Sequence, residues 1–208
     1  MSGKKSGKKA KEHPEEKRQR RIRVGVSLFM LFILVFSSVA YFFTPDPNSF
    51  TYNGVRFRGK ADGSGFIQGY VAKIDGTQQT FFSRPTDTLN IELPVGFPES
   101  LRDAPVTIIL FDPENNLTAL YDLFRFELER SLKDKVLVPA VTAQSPQYPQ
   151  FPVYSCAQAT AESPVVLLTQ GTIAITNADG CIVISGGQYD FALLLDRIRY
   201  RLLGVTEQ

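Results

Sequence analysis

Apolar residues recur along this chain in three rhythms, and each predicts a different kind of element. The first is an unbroken run. From Val24 to Phe43 (VGVSLFMLFILVFSSVAYFF) there are 20 residues without a charge, and at about 1.5 Å per helical residue they match a hydrocarbon layer of roughly 30 Å. A transmembrane helix is expected over 24–43. Pro45 and Pro47 end it near Thr44, because a residue preceding proline avoids the α conformation. Tyr41, Phe42 and Phe43 then fall at an interface, where aromatic rings prefer to lie.

The second rhythm is that of strands. Phe50–Phe57 (FTYNGVRF) and Phe66–Ser83 (FIQGYVAKIDGTQQTFFS) are rich in aromatic and β-branched residues, and Asp75-Gly76 is a two-residue hairpin signal. Two to four antiparallel strands are expected there, with Leu89–Leu93 as a further short one. Val106–Phe111 (VTIILF) is continuously apolar, which suits a strand buried on both faces.

The third rhythm is helical. Leu117, Leu120, Phe124, Leu128 and Leu132 recur at spacings of three and four, giving one apolar face. Asp112 is placed to cap that helix, with Pro113 at its first position and Glu114 in its first turn; Lys133 and Lys135 complement its far end. Val136–Val141 (VLVPAV) completes a βαβ unit as a strand that Pro139 demotes toward a sheet edge. Residues 144–152 (QSPQYPQFP) carry three prolines and no charge and read as an extended linker. Strands are expected over Val165–Leu168, Thr172–Thr176 and Cys181–Ser185, with Asn177–Gly180 turning the last pair. A final helix over Tyr189–Leu203 buries Phe191, Leu194, Leu195, Ile198 and Leu202 and closes on Gly204. Arg197 and Arg201 fall on its solvated side.

The resulting class is α+β: an N-terminal transmembrane helix, then an extracytoplasmic domain of antiparallel hairpins, one βαβ unit and a C-terminal β-hairpin plus helix. The expected divisions are a disordered basic cytoplasmic tail (1–23), the membrane helix (24–43), a β-rich and βαβ region (44–143), a Pro-rich linker (144–153) and a C-terminal strand-hairpin-helix region (154–208).

Charge sets the orientation. The formal net charge of +2 conceals 10 Lys and Arg against 3 Glu over residues 1–23, with 13 basic and 18 acidic residues beyond. Lys17, Arg18, Arg20, Arg21 and Arg23 abut the apolar run, and an excess of positive charge marks the cytoplasmic flank. The tail would act as an electrostatic anchor on an anionic surface. It has no aromatic residues for base stacking, so ribosome or nucleic-acid contact is the weaker reading of its basic runs. A cleaved signal peptide would have a hydrophobic core of about 7 to 15 residues and an A-x-A type site, and the chain shows neither before Pro45. Prepilin-type cleavage beside Gly25 lacks its usual acidic residue early in the apolar segment.

Near the C-terminus the pattern Cys156-Ala-Gln-Ala-Thr160, Pro164-Val-Val, Gly180-Cys-Ile-Val-Ile and Asp196-Arg-Ile-Arg-Tyr-Arg-Leu-Leu-Gly204 resembles the C-terminal part of uncharacterised single-pass, membrane-anchored proteins of archaea. The resemblance implies a source and brings no activity with it.

Cys156 and Cys181 lie on the outer side in this topology. A bridge between them stabilises by roughly 3 to 4 kcal/mol in the chain-entropy model, and disulfides persist in oxidising compartments. Two buried free thiols are the alternative. Redox catalysis would need C-x-x-C spacing or a nearby cation to lower the thiol pKa. Asn116-Leu-Thr118 is a glycosylation sequon on the same side.

Several motifs fail on inspection. Gly54–Ala61 (GVRFRGKA) follows a phosphate-binding loop until Ala61 replaces the hydroxyl residue that would hold magnesium. Gly63, Gly65 and Gly69 miss the dinucleotide spacing by one residue and suggest a turn. His13 is the only histidine and sits in the tail, away from any outer active site. Carboxylate chemistry has Asp112, Glu114, Asp190 and Asp196 as nominal candidates, each with a structural role open to it: caps for the first three and an Arg199 partner for Asp196. No cofactor or metal is expected. The leading expectation is a non-enzymatic accessory domain that binds another membrane or envelope protein. The alternative is an extracytoplasmic ligand-binding or carboxylate-dependent hydrolytic domain.

Overall fold

The computed structural model describes residues 14–43, 46–132, 134–178 and 181–206, and the chain divides into two compact units, Met1–Pro47 and Asn48–Gln208. The basic tail over 1–13 with His13, the side chains of Lys17, Tyr41, Phe42 and Phe43, together with Thr44, Pro45, Lys133 and Asp179-Gly180, lie outside the described residues.

The first unit is one helix, α1 (Pro14–Phe43). It starts ten residues before Val24, so the tail expected to be disordered over 1–23 is helical from Pro14 onward. Local propensity favours this, because proline is tolerated in the first turn of a helix and Lys, Arg and Gln are good helix formers. The stretch Arg18–Ser38 has a mean hydropathy of 1.8 and is long and apolar enough to cross a membrane. Its large apolar side chains are exposed, Phe29 at 63% and Leu34 at 66%.

The second unit opens with a four-stranded antiparallel sheet in sequential order, β1 (Ser49–Tyr52), β2 (Val55–Ala61), β3 (Ile67–Ile74) and β4 (Thr77–Phe81). Two tight hairpins build it. Asn53 (φ 44°) and Asp75 (φ 48°), each followed by a glycine at positive φ, supply the twist that right-handed strands require. The strand β2 runs through GVRFRGKA, so that segment has no strand-to-helix turn and forms no phosphate loop. Gly65 does serve a turn, and Gly69 sits where a Cβ would come 2.5 Å from the carbonyl oxygen of Phe81. One face of the sheet buries Phe57, Ala72, Ile74 and Phe81; the other exposes Arg56, Arg58, Lys60 and Lys73.

Leu89–Leu93 is not a strand. A 3-10 turn over Pro85–Thr88 leads into an irregular loop, where the Ile91 amide donates to the Thr88 carbonyl and the Ile91 carbonyl accepts from Arg197. Both backbone groups are satisfied without a ladder. The short α2 (Glu99–Asp103) follows.

The remaining elements are β5 (Val106–Phe111), α3 (Thr118–Ser131), β6 (Val136–Val141), β7 (Val165–Gln170), β8 (Ala174–Ala178), β9 (Cys181–Gly186) and α4 (Asp190–Leu202). The five strands form a mixed sheet ordered β6-β5-β7-β9-β8, parallel except for β8. The βαβ unit is present, and Pro139 lies on the edge strand β6 as its missing amide demands. Helix α3 begins later than the caps suggested. Asp112 accepts a hydrogen bond from the Glu114 amide (3.0 Å) and Asn115 from the Leu117 amide (2.9 Å), so these side chains close turns instead of capping the helix.

One core cluster crosses the boundary that the sequence placed between 44–143 and 154–208. Phe111, Tyr121, Phe124, Leu128, Val166, Ile184, Phe191, Leu194 and Ile198 belong to a single cluster spanning the βαβ unit and the C-terminal hairpin with its helix. The segment 144–153 is no free linker: Tyr148 and Phe151 stack at 5.5 Å and meet Phe111 edge-on, and Val153 bridges to Val141. The opposite face of the mixed sheet is covered by Tyr154, Cys156 and Ala159.

Candidate functional site

Helix α4 carries the densest chemistry of the molecule, in the run Asp196-Arg197-Ile198-Arg199-Tyr200-Arg201. Its Leu194, Leu195 and Ile198 face the mixed-sheet core, while Tyr200 packs with Phe57 and Phe81 against the four-stranded sheet. A helix between two layers is buried nearly all round, so its polar residues must find protein partners.

Asp196 and Arg199 are both fully buried. One carboxylate oxygen of Asp196 accepts from the Phe82 amide (2.7 Å), the Ser83 amide (2.7 Å) and the Ser83 hydroxyl (2.9 Å). The other has no hydrogen-bond donor and faces Arg199 Nη1 at 3.6 Å. Burial pushes the Asp196 pKa up to about 6, against the hydrogen bonds from Ser83, the charge of Arg199 and the Phe82 amide, which hold it down. Arg199 donates to Ser131 Oγ (2.8 Å), the Thr80 carbonyl (2.7 Å) and Gln79 Oε1 (3.2 Å), lies 3.5 Å from Glu127, and stacks over Phe81. Tyr200 donates to the Ser83 carbonyl at 2.5 Å, and burial raises its pKa. These bonds tie α4 to β4, to the chain just after it, and to α3. The network is a staple between layers.

Arg197 and Arg201 were expected to be solvated. Instead Arg197 is 6% exposed, donating from Nε to the Ile91 carbonyl (2.9 Å) and from Nη1 to Thr206 Oγ1 (3.4 Å). Burial and then the charge of Arg201 depress its pKa. Arg201 pairs with Glu99 of α2 at 2.6 Å. Arg197 and Arg201 line one side of a cavity of about 390 Å³, whose other side is the loop carrying Leu89, Ile91, Leu93 and Phe97. The expectation failed because the loop after β4 folds back over this helical face, which periodicity in one segment cannot register.

No family model, curated protein or solved structure matches the chain. The site therefore has to be read from its own geometry.

The other sequence candidates are scattered. Cys156 and Cys181 are joined in a disulfide with Cα atoms 5.1 Å apart, linking the segment before β7 to the first residue of β9. Asn116 is exposed in the turn before α3. Arg18, Arg20, Arg21 and Arg23 are exposed on α1, which also includes Lys17. Asp112 and Glu114 are exposed in the turn they close, whereas Asp190 accepts from the Gly187 amide (2.8 Å) at the start of α4. Asp196 lies in the interlayer network. Asp196 is buried while Asp112 and Glu114 are exposed, and among the described residues no group of three or more His, Cys, Asp or Glu is placed to hold a metal ion.

Proposed function

We propose that the chain is a single-pass membrane protein that holds its α+β domain outside the cytoplasm, where the domain serves as a non-catalytic binding or accessory module for a membrane or envelope partner. The observation that carries this reading is the pairing of two features. An apolar helix with its large side chains exposed precedes a domain closed by a disulfide. Lipid removes the first from water, and an oxidising compartment preserves the second. The basic residues from Lys17 to Arg23 on the N-terminal flank favour that flank staying in the cytoplasm. The resemblance to archaeal membrane-anchored proteins is consistent with this placement and adds no activity. Asp112 and Glu114 are exposed in a turn while Asp196 is buried in hydrogen bonds between layers, and this favours binding over carboxylate-dependent hydrolysis, which would need paired acids in one cleft.

Sidedness and anchoring are tested together. Carbonate-washed membranes should retain the full-length chain, and protease added to intact cells with an accessible surface should remove the C-terminal domain. Release of a shortened soluble form would replace the anchor with a cleaved leader. Protection in intact cells with digestion after lysis would reverse the orientation. In a host that N-glycosylates, Asn116→Gln should abolish any upward gel shift of the wild-type chain. Crosslinking in native membranes should capture a companion protein; recovery of the monomer alone would remove the basis for the accessory role.

A further inference from the structure

We infer that the cavity between α4 and the loop after β4 binds a small monocarboxylate with an apolar body. Arg197 and Arg201 are four residues apart on one helix and so are neighbours on the same face, where like charges repel. Only Arg201 has a carboxylate within ion-pair distance among the described residues, Glu99. Arg197 is more than nine-tenths buried and satisfied through Nε and Nη1 by neutral acceptors. Arg197 and Arg201 both line the cavity, which leaves space beside them for an acceptor. A buried cation without a counter-ion is costly, and an anion entering the cavity would relieve that cost. The Nε of Arg201 is buried without an acceptor.

Shape and lining define the rest of the ligand. At about 390 Å³ the cavity falls at the lower end of the range for small-molecule sites. Ile91 and Phe97 are buried in its wall, while Leu89 (45%) and Val95 (98%) leave apolar surface at the rim. Glu92 also lines the cavity and is exposed; water screens it, yet it disfavours a second negative charge on the ligand. A planar carboxylate fits the fork of a guanidinium, and the apolar lining fits a hydrocarbon or aromatic body. Such a group can come from a free amphiphilic acid or from the C-terminal residue of a peptide. The site belongs to the folded domain and stands whichever side of a membrane that domain occupies.

The test is calorimetric titration of the full chain in lipid nanodiscs, with empty discs as the blank. The probes are 4-phenylbutyrate and an acetylated tripeptide ending in leucine, each compared with its neutral amide. At least one acid should bind about tenfold or more tightly than its amide, and which one does so identifies the source. Val95→Lys should tighten the acid a few-fold and Val95→Glu should weaken it; at this exposed position neither substitution endangers the fold. Arg197→Met should erase the preference for the acid. Equal binding of acids and amides, insensitivity to the charge at position 95, or no binding of either acid up to about 5 mM would overturn the assignment.

Discussion

Asp196 places a carboxylate where water cannot reach it, and its protonation is therefore coupled to folding. With a native pKa raised to about 6 from 3.8, the folded state holds the proton more tightly than the unfolded chain. The stabilising contribution is complete below the unfolded value and is lost as the pH rises through about 6, a swing of about 3 kcal/mol at roughly 1.4 kcal/mol per unit. Other carboxylates contribute in the opposite sense, so the comparison must be with Asp196→Asn. The urea stability of the wild type relative to that variant should rise between pH 7 and pH 4 and stay level above pH 7. A difference that does not change with pH would show that folding leaves the Asp196 pKa where it stands in the unfolded chain. Gly69 makes a separate prediction. A Cβ there would meet the Phe81 carbonyl oxygen at 2.5 Å, and backbone of a paired strand cannot step aside. Gly69→Ala should cost about 1 to 3 kcal/mol in a denaturant titration; a neutral result would mean that β3 and β4 separate at little expense.

Helix α4 acts as the connector between layers because its charged residues reach different elements. Removing Arg199 alone leaves Asp196 and Glu127 without their buried cation, a loss of about 3 to 5 kcal/mol. Arg199→Met combined with Asp196→Asn removes both charges of the central pair and should cost less than the sum of the single changes. A double-mutant cycle showing an interaction energy of at least about 1 kcal/mol checks this, and strict additivity would mean that the pair does not act as a unit. The 3.6-residue rhythm of this helix located its apolar face correctly, with Phe191, Leu194, Leu195 and Ile198 buried. It misplaced Arg197 because periodicity identifies the face that needs a core without revealing whether a second layer covers the opposite one. The same limitation explains Leu89–Leu93, whose apolar alternation suited a strand until the side chain of Arg197 took the Ile91 carbonyl.

For the molecule as a whole, the Cys156–Cys181 bond closes a loop with a sequence separation of 25 that contains β7 and β8. Chain entropy assigns such a bridge about 3 kcal/mol. Reduction, or Cys156→Ser together with Cys181→Ser, should lower the midpoint of chemical unfolding of the domain by that order without changing its circular dichroism at low denaturant. An unchanged midpoint would show that the surrounding contacts already restrict the open chain. The bond also fixes the segment that covers the face of the mixed sheet opposite α3 and α4. Reduced protein should accordingly exchange the amides of 154–164 faster than those of α4.

Features that depend on neighbours in the chain were legible in the sequence: the uncharged run, the Asp75-Gly76 hairpin, the βαβ order, the edge position of Pro139 and the apolar faces of two helices. Each follows from local backbone preference or from a repeat that one element carries within itself. The bonding of Cys156 to Cys181 could be anticipated too, because two cysteines on the side of the apolar run expected to be oxidising pair most simply with each other. Folding in three dimensions added the contacts between segments far apart in sequence. It joined 144–153 to the core, merged the expected regions 44–143 and 154–208, and buried Arg197 and Arg199. These outcomes depend on which surfaces meet, and a charged residue on a helix reads the same in one dimension whether it faces water or another layer of protein.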